Sequence, residues 1–375
     1  MKLDKPFKTP DFEDLRRVLL REPDQKVVPM IELWIDIGIM SAVTGMKLPY
    51  SSDELVGLLN LDKSSTEDAI QFGIRYAQLA TAFSAAAGYD YVISTVSVPI
   101  LRPRRHLKEN PSQGGKIRVW REEHAGLIAC RQDLKSYSWP SLDQINMAPV
   151  EFMATLLPAN MKLIVFYPGI FEDLTTLMGF ENMAIKSIEE PELLEEILER
   201  LTRLAEAAID RATAHPAVGA VFYGEDMGFR TGTMLTPAFM REYVLPRHKR
   251  IVAASHKHGK PFILHSCGRI SALMDDLIDV VKIDALHSFQ DIIEPVEQVY
   301  AKYSSRIAIL GGLDMDLLAR GTEDQIRRRT RQILDACAPG GNFALGAGNS
   351  ITDFVPIDNY YAMLNELKRW NEGDR

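Results

Sequence analysis

Eight short apolar runs recur along the chain, and their spacing constrains the fold more than any other feature. They are VVPMIELWID (27–36), YDYVIST (89–95), KLIVFYPG (162–169), AVGAVFYGED (217–226), KPFILHSC (260–267), KIDALHSF (282–289), RIAILGGLD (306–314) and GNFALGAG (341–348). Every gap but the first carries a clear amphipathic helical pattern. Strands that alternate with helices cannot pair as hairpins and need a parallel sheet. Eight β–α units predict a closed (β/α)8 TIM barrel, an α/β fold. The competing architecture is a doubly wound open sheet, but no GxGxxG follows the first run. The expected organisation is an N-terminal helical arm over 1–26 and a single barrel domain over 27–375. A β-containing insertion of about 98–147, between strands two and three, is long enough to be functional or a subunit contact.

Helix starts are marked in places. Ser65 or Thr66 can cap the helix leading to the second strand, Thr236-Pro237 opens the one before KPFILHSC, and Thr322 opens EDQIRRRTRQILDAC. Gly259 takes the place of a C-terminal glycine. The formal charge of −8 argues against a nucleic-acid surface. LRPRRHLK (101–108) is the most basic short segment, either a solvated loop or an anion site. No apolar run is long enough to span a membrane, and the N-terminus lacks a signal-peptide core. The three cysteines, Cys130, Cys267 and Cys337, give no disulfide framework, and a reducing cytoplasm is the expected location.

Barrel chemistry gathers at the C-terminal ends of strands. Those ends supply Glu32, Tyr167, Tyr223, Glu225, Asp226, His265, Cys267, His287, Asp314 and Asn349. His265 and Cys267 stand two apart, so both point to one face, and an imidazole and a thiolate are good zinc ligands. His287 closes the next strand and is the best third ligand. Glu225 and Asp226 are neighbours and point to opposite sides, so one of them faces the mouth. That acid can ligate metal, take a proton or bind a substrate amine, while Glu32 and Asp36 share a face at the end of the first strand. Each of these residues also has a plainer structural reading, as packing or capping.

Two blocks resemble the uroporphyrinogen decarboxylase superfamily: GEDMGFRTGTMLTPAFMREYVLPRHKRIVAASHKHGKPFILHSCGRI (224–270), and LGGLDMDLLARG with PGGNFALGAGNSI further on. The resemblance covers roughly residues 10–370 and implies a (β/α)8 barrel. It also implies one of two activities, porphyrinogen decarboxylation or corrinoid-dependent methyl transfer to thiols. The decarboxylase pattern has arginines after the first strand, where VVPMIELWIDIGIMSA has none. Its strand-two aspartate corresponds here to Ser94 and Thr95, and its strand-eight GHG to Gly346-Ala347-Gly348. The methyltransferase branch binds zinc through an H-x-C on strand five and a cysteine on strand eight. His265 and Cys267 match the first; Ala347 replaces the second. Cobalamin-independent methionine synthase, a related barrel, is similar in pairing its H-x-C with a ligand near the position of His287.

The resemblance therefore implies a methyltransferase acting between a corrinoid (methylcobalamin-type) carrier and a small thiol or methylated substrate. Zinc would be held by His265, Cys267 and His287. Glu225, Asp226, Tyr167 and Glu32 are the catalytic candidates, while Tyr223, Asn349 and Asp314 are placed near the cofactor. A corrinoid protein docked over the mouth is the expected partner, and a homodimer the expected assembly. Two alternatives stand beside this. One is a metal-free decarboxylase drawing cations from LRPRRH; the other is a non-catalytic corrinoid- or substrate-binding barrel, motivated by Ala347.

Overall fold

The computed structural model describes residues 9–48, 66–103, 105–110, 116–121 and 126–373. Ser65, Arg104 and the side chains of Thr66, Arg105 and Lys108 lie outside the described residues, so the cap expected at 65–66 and most of the basic segment do too.

Seven of the eight apolar runs pair into one parallel sheet. Its strands are β1 (Tyr91–Thr95), β4 (Lys162–Pro168), β5 (Val218–Gly224), β6 (Phe262–His265), β7 (Ala285–His287), β8 (Ala308–Leu310) and β9 (Phe343–Ala344). They lie side by side in chain order, every pair parallel. β5 is buried along its whole length, as expected of a strand covered on both faces. Between β1 and β4 the chain forms an antiparallel hairpin, β2 (Arg105–Asn110) with β3 (Lys116–Arg121).

The first apolar run departs from expectation. It forms no strand of the ladder, and its backbone meets the chain beyond β9 through isolated parallel bridges, Met30 to Leu345 and Ile35 to Ile351. Pro29 lacks the N–H a ladder residue would donate, which helps explain why the run stays irregular. Facing β1, its backbone is held by a side chain. The Tyr91 hydroxyl accepts from Glu32 N at 2.6 Å and donates to Glu32 O at 2.8 Å. The architecture is thus a TIM-barrel-like α/β fold with a seven-stranded curled parallel sheet.

Helices cover the outer face. The longest described, Pro191–Ala214, starts with proline at its first turn and buries Leu194, Ile197, Leu201, Ala205 and Ala208 along one stripe. Thr322 caps Glu323–Cys337 in a capping box with Gln325, and Thr236 accepts from Phe239 N, as the sequence suggests. The helix after Thr236 is not regular throughout. Met240–Val244 forms a π-helical turn before Leu245–His256, because Pro246 has no N–H to continue the ordinary ladder.

Registry fixes which side chains share the interior. Gly224 pairs with His265 and His265 with His287, so these positions face one way. Tyr223 pairs with Tyr167 and faces the other way, toward the helices.

Candidate active site

β5, β6 and β7 deliver the chemistry at their C-terminal ends. His265 Nε2 lies 3.4 Å from Cys267 Sγ and 3.7 Å from Asp226 Oδ1. Asp226, two residues past the end of β5, accepts from Cys267 N at 2.8 Å. One ligand atom from each of the three lies within 4.8 Å of the others. Tetrahedral zinc with bonds of about 2.0–2.3 Å spaces its ligands roughly 3.3–3.8 Å apart, so the two measured edges fit such an ion. The donor set of imidazole, thiolate and carboxylate also suits zinc.

Gly268 makes the turn possible. Its φ is +77°, and a Cβ there would stand 2.3 Å from the Gly228 carbonyl carbon. That close approach ties the loop after β6 to the loop after β5, and Arg269 N donates to Phe229 O across it. Two further groups reach the thiol: Asn349 Nδ2 donates to Cys267 Sγ at 3.2 Å, and the Ser288 hydroxyl lies 3.6 Å away. Ser288 was missed by sequence reasoning. It holds φ +99°, costly for a non-glycine residue, directly after His287. The only sequence signal was its place in HSF, parallel to HSC one strand earlier.

Burial, then the Asp226 carboxylate, push the Cys267 thiol up to about 12, while Ser288 and Asn349 oppose them. The His265 imidazole is lowered to about 4, chiefly by burial, with Asp226 opposing. His287 is driven well below the usual histidine range by burial and then by His265. The pair is therefore neutral at pH 7.

His287 stands behind His265 rather than beside the trio. Its Nδ1 is 2.8 Å from His265 Nδ1, and its Nε2 sits by the Ala347 carbonyl without an in-line hydrogen bond. Asp226 takes the third corner that the sequence reading gave to His287. Glu225 turns the other way and is fully buried. It accepts from Phe171 N at 3.1 Å, Glu172 N at 2.9 Å and the Tyr223 hydroxyl at 3.2 Å, and pairs with His248 Nε2 at 2.8 Å. Glu225 thus caps the helix Ile170–Met178, whose own N-cap is glycine. Tyr167 and Tyr223 stack at 6.4 Å on that helix-facing side, away from the interior where they were expected. Asp314 caps Met315–Arg320 and also accepts from Asp291 N, which accounts for both its oxygens. Glu32 is interior and buried, with Oε1 accepting from Ala347 N at 3.0 Å. Arg102 of the basic segment forms a two-pronged pair with Asp173 at 2.7 and 2.9 Å.

Residues 132–370, more than half of the chain, match the family model described as uroporphyrinogen decarboxylase (URO-D). The chain belongs to the uroporphyrinogen decarboxylase family. A curated relative, the uroporphyrinogen decarboxylase of Syntrophotalea carbinolica, is 32% identical over 147 residues. That match spans 37% of this chain and only 39% of the relative. Among solved structures, a methyltransferase from Methanosarcina mazei superposes with a TM-score of 0.71 at 16% identity. It covers 98% of this chain and 99% of that one, a likeness of fold. This family member carries its metal-capable trio on one interior face. A groove of about 280 Å³ opens at Cys267 between Phe229-Arg230 and Ile292-Ile293, with Phe229 and Ile292 exposed. No described helix is long and apolar enough to cross a membrane.

Proposed function

We propose that this family member is a zinc-assisted methyltransferase, moving a methyl group between a corrinoid carrier and a small thiol or methylated substrate. The observation that carries the reading is the spacing of Asp226, His265 and Cys267. The fold shared with a methyltransferase supports it. Zinc held by the three would lower the pKa of a substrate thiol and keep it as the thiolate.

The protein's own groups prepare the position. His265 must offer a lone pair at Nε2, so its proton lies on Nδ1 and is donated to His287 Nδ1. His287 then carries its proton on Nε2, beside the Ala347 carbonyl. This fixes both tautomers and the ring plane of the ligand, the role of an outer-shell partner. Asn349 and Ser288 hold the Cys267 sulfur by hydrogen bonds, and Asp226 is held by Cys267 N. The groove above Cys267, with its exposed Phe229 and Ile292, is the approach we assign to substrate and to a corrinoid protein. A cytoplasmic homodimer is part of the same proposal.

Elemental analysis of protein purified without added metal tests the reading. About one zinc per chain, lost in Cys267→Ala, together with thiol-dependent consumption of methylcobalamin, is expected. Metal-free protein that consumes a tetrapyrrole carboxylate would overturn it in favour of decarboxylation. Arg102, already paired with Asp173, is a poor source of cations for that alternative.

A further inference from the structure

A second interior feature lies apart from the trio, in the seam between the 29–36 segment and β1. The sheet ladder does not extend across this seam, and a cavity of about 40 Å³ opens there. Glu32, Trp34, Tyr76, Phe83, Tyr89 and Tyr91 are half of the twelve described residues that line it, and none of the twelve is a lysine, arginine or histidine. Trp34 and Tyr76 lie nearly parallel at 6.0 Å, and Phe83 packs on Tyr89 at 5.7 Å. Glu32 is 2% exposed, and while its Oε1 accepts from Ala347 N, its Oε2 is buried without a hydrogen-bond partner among the described residues.

An acid oxygen with no partner, in a pocket walled by aromatic rings, defines what can complete it. An anion would meet a carboxyl with no cation beside it. A purely apolar guest would leave Oε2 as costly as before. A small organic cation satisfies both features, because aromatic faces attract positive charge and a carboxylate accepts its N–H. The volume takes roughly three to four water-sized bodies, the size of an amine nitrogen with its methyl groups.

We infer that this slot binds small methylated ammonium ions, with Glu32 accepting the N–H and the Trp34 and Tyr76 rings packing on the methyls. Burial holds the Glu32 carboxyl well above its usual range. The groups around it are the phenols of Tyr89, Tyr91 and Tyr360, and Asp36 stands near Tyr76. None of these is a cation that would ionise Glu32 beforehand. Entry of an ammonium ion therefore expels the carboxyl proton, and binding is linked to proton release.

Isothermal titration of the full-length protein with trimethylammonium chloride tests the inference, with tert-butanol as an uncharged ligand of similar shape. Runs in two buffers of different ionisation heat report the proton. Saturable binding of the cation, about one proton released per ion, and no binding of tert-butanol are expected. Glu32→Gln keeps an oxygen for Ala347 N, while Trp34→Leu leaves Glu32 intact. Each is expected to bind at least about tenfold more weakly while keeping the native far-UV spectrum. If one variant misfolds, the other decides. Absence of saturation, equal binding of tert-butanol, or wild-type affinity in a folded variant would show that the slot holds only water and overturn the inference. No arm depends on metal or methyl transfer, so the outcome is separate from that of the proposed activity.

Discussion

At the scale of single residues, the site was half legible. H-x-C on a strand places two ligands on one face whatever the rest of the fold does, and His265 and Cys267 do meet there. The two acids of GED could be separated only by registry, because period-2 alternation says that one faces inward but not which. Gly224 pairing with His265 settles it, sending Asp226 inward and Glu225 to the helices. His287 shares the interior face, yet its distance behind His265 depends on rotamers and ring packing that no spacing encodes. Its hydrogen bond makes a separable prediction. His287→Asn can still offer an oxygen near the Nδ1 position, whereas His287→Ala cannot. Chelator competition should show zinc affinity falling about 10–100-fold in the alanine variant and largely restored in the asparagine variant. The same loss in both would mean that the ring acts by packing alone. Asp226→Ala should lower zinc affinity further than either, since it removes one of the three proposed ligands.

Among elements, caps and strands were legible where local chemistry decides and opaque where a neighbour does. Thr322 with Gln325 and Thr236 with Pro237 are local, and both helices begin there. Ile170–Met178 begins after Gly169, and its cap arrives from the next strand as Glu225. Glu225→Ala should cost about 3 kcal/mol or more in urea denaturation, because it strands buried backbone donors and His248. The folded fraction should still bind zinc as tightly as the wild type, because the proposed ligands are untouched. The end of Leu245–His256 is tied to the sheet through Asp284, which accepts from Phe262 N and pairs with His256 Nε2, both at 2.7 Å. That pairing raises the His256 pKa above 6.5, the Asp284 hydrogen bond being the main cause. A pKa raised by folding stabilises below the unfolded value and is lost as pH rises through the folded one. Wild-type protein should therefore exceed His256→Gln in melting temperature at pH 5.5 by more than at pH 8.5. A difference that does not change with pH would contradict this.

At the scale of the whole molecule, seven of the eight apolar runs fell into the parallel order their spacing implied. The exception was the run whose pairing needs the two ends of the chain to meet. Long-range closure of that kind leaves little trace in local pattern. Its substitute for a ladder is the Tyr91 hydroxyl, which satisfies both backbone groups of Glu32. Tyr91→Phe should cost about 2–3 kcal/mol in stability, a large effect for the loss of one oxygen. A ring of staves fastened by one clasp gives way at the clasp first. Native-state hydrogen exchange should accordingly find the amides of 30–36 opening together, at lower free energy than those of β5 and β6. In Tyr91→Phe that opening should become easier, while exchange deep in the sheet follows only the global loss. The barrel-like body would then breathe along one fixed line, and a guest lodged in that line would act as a latch.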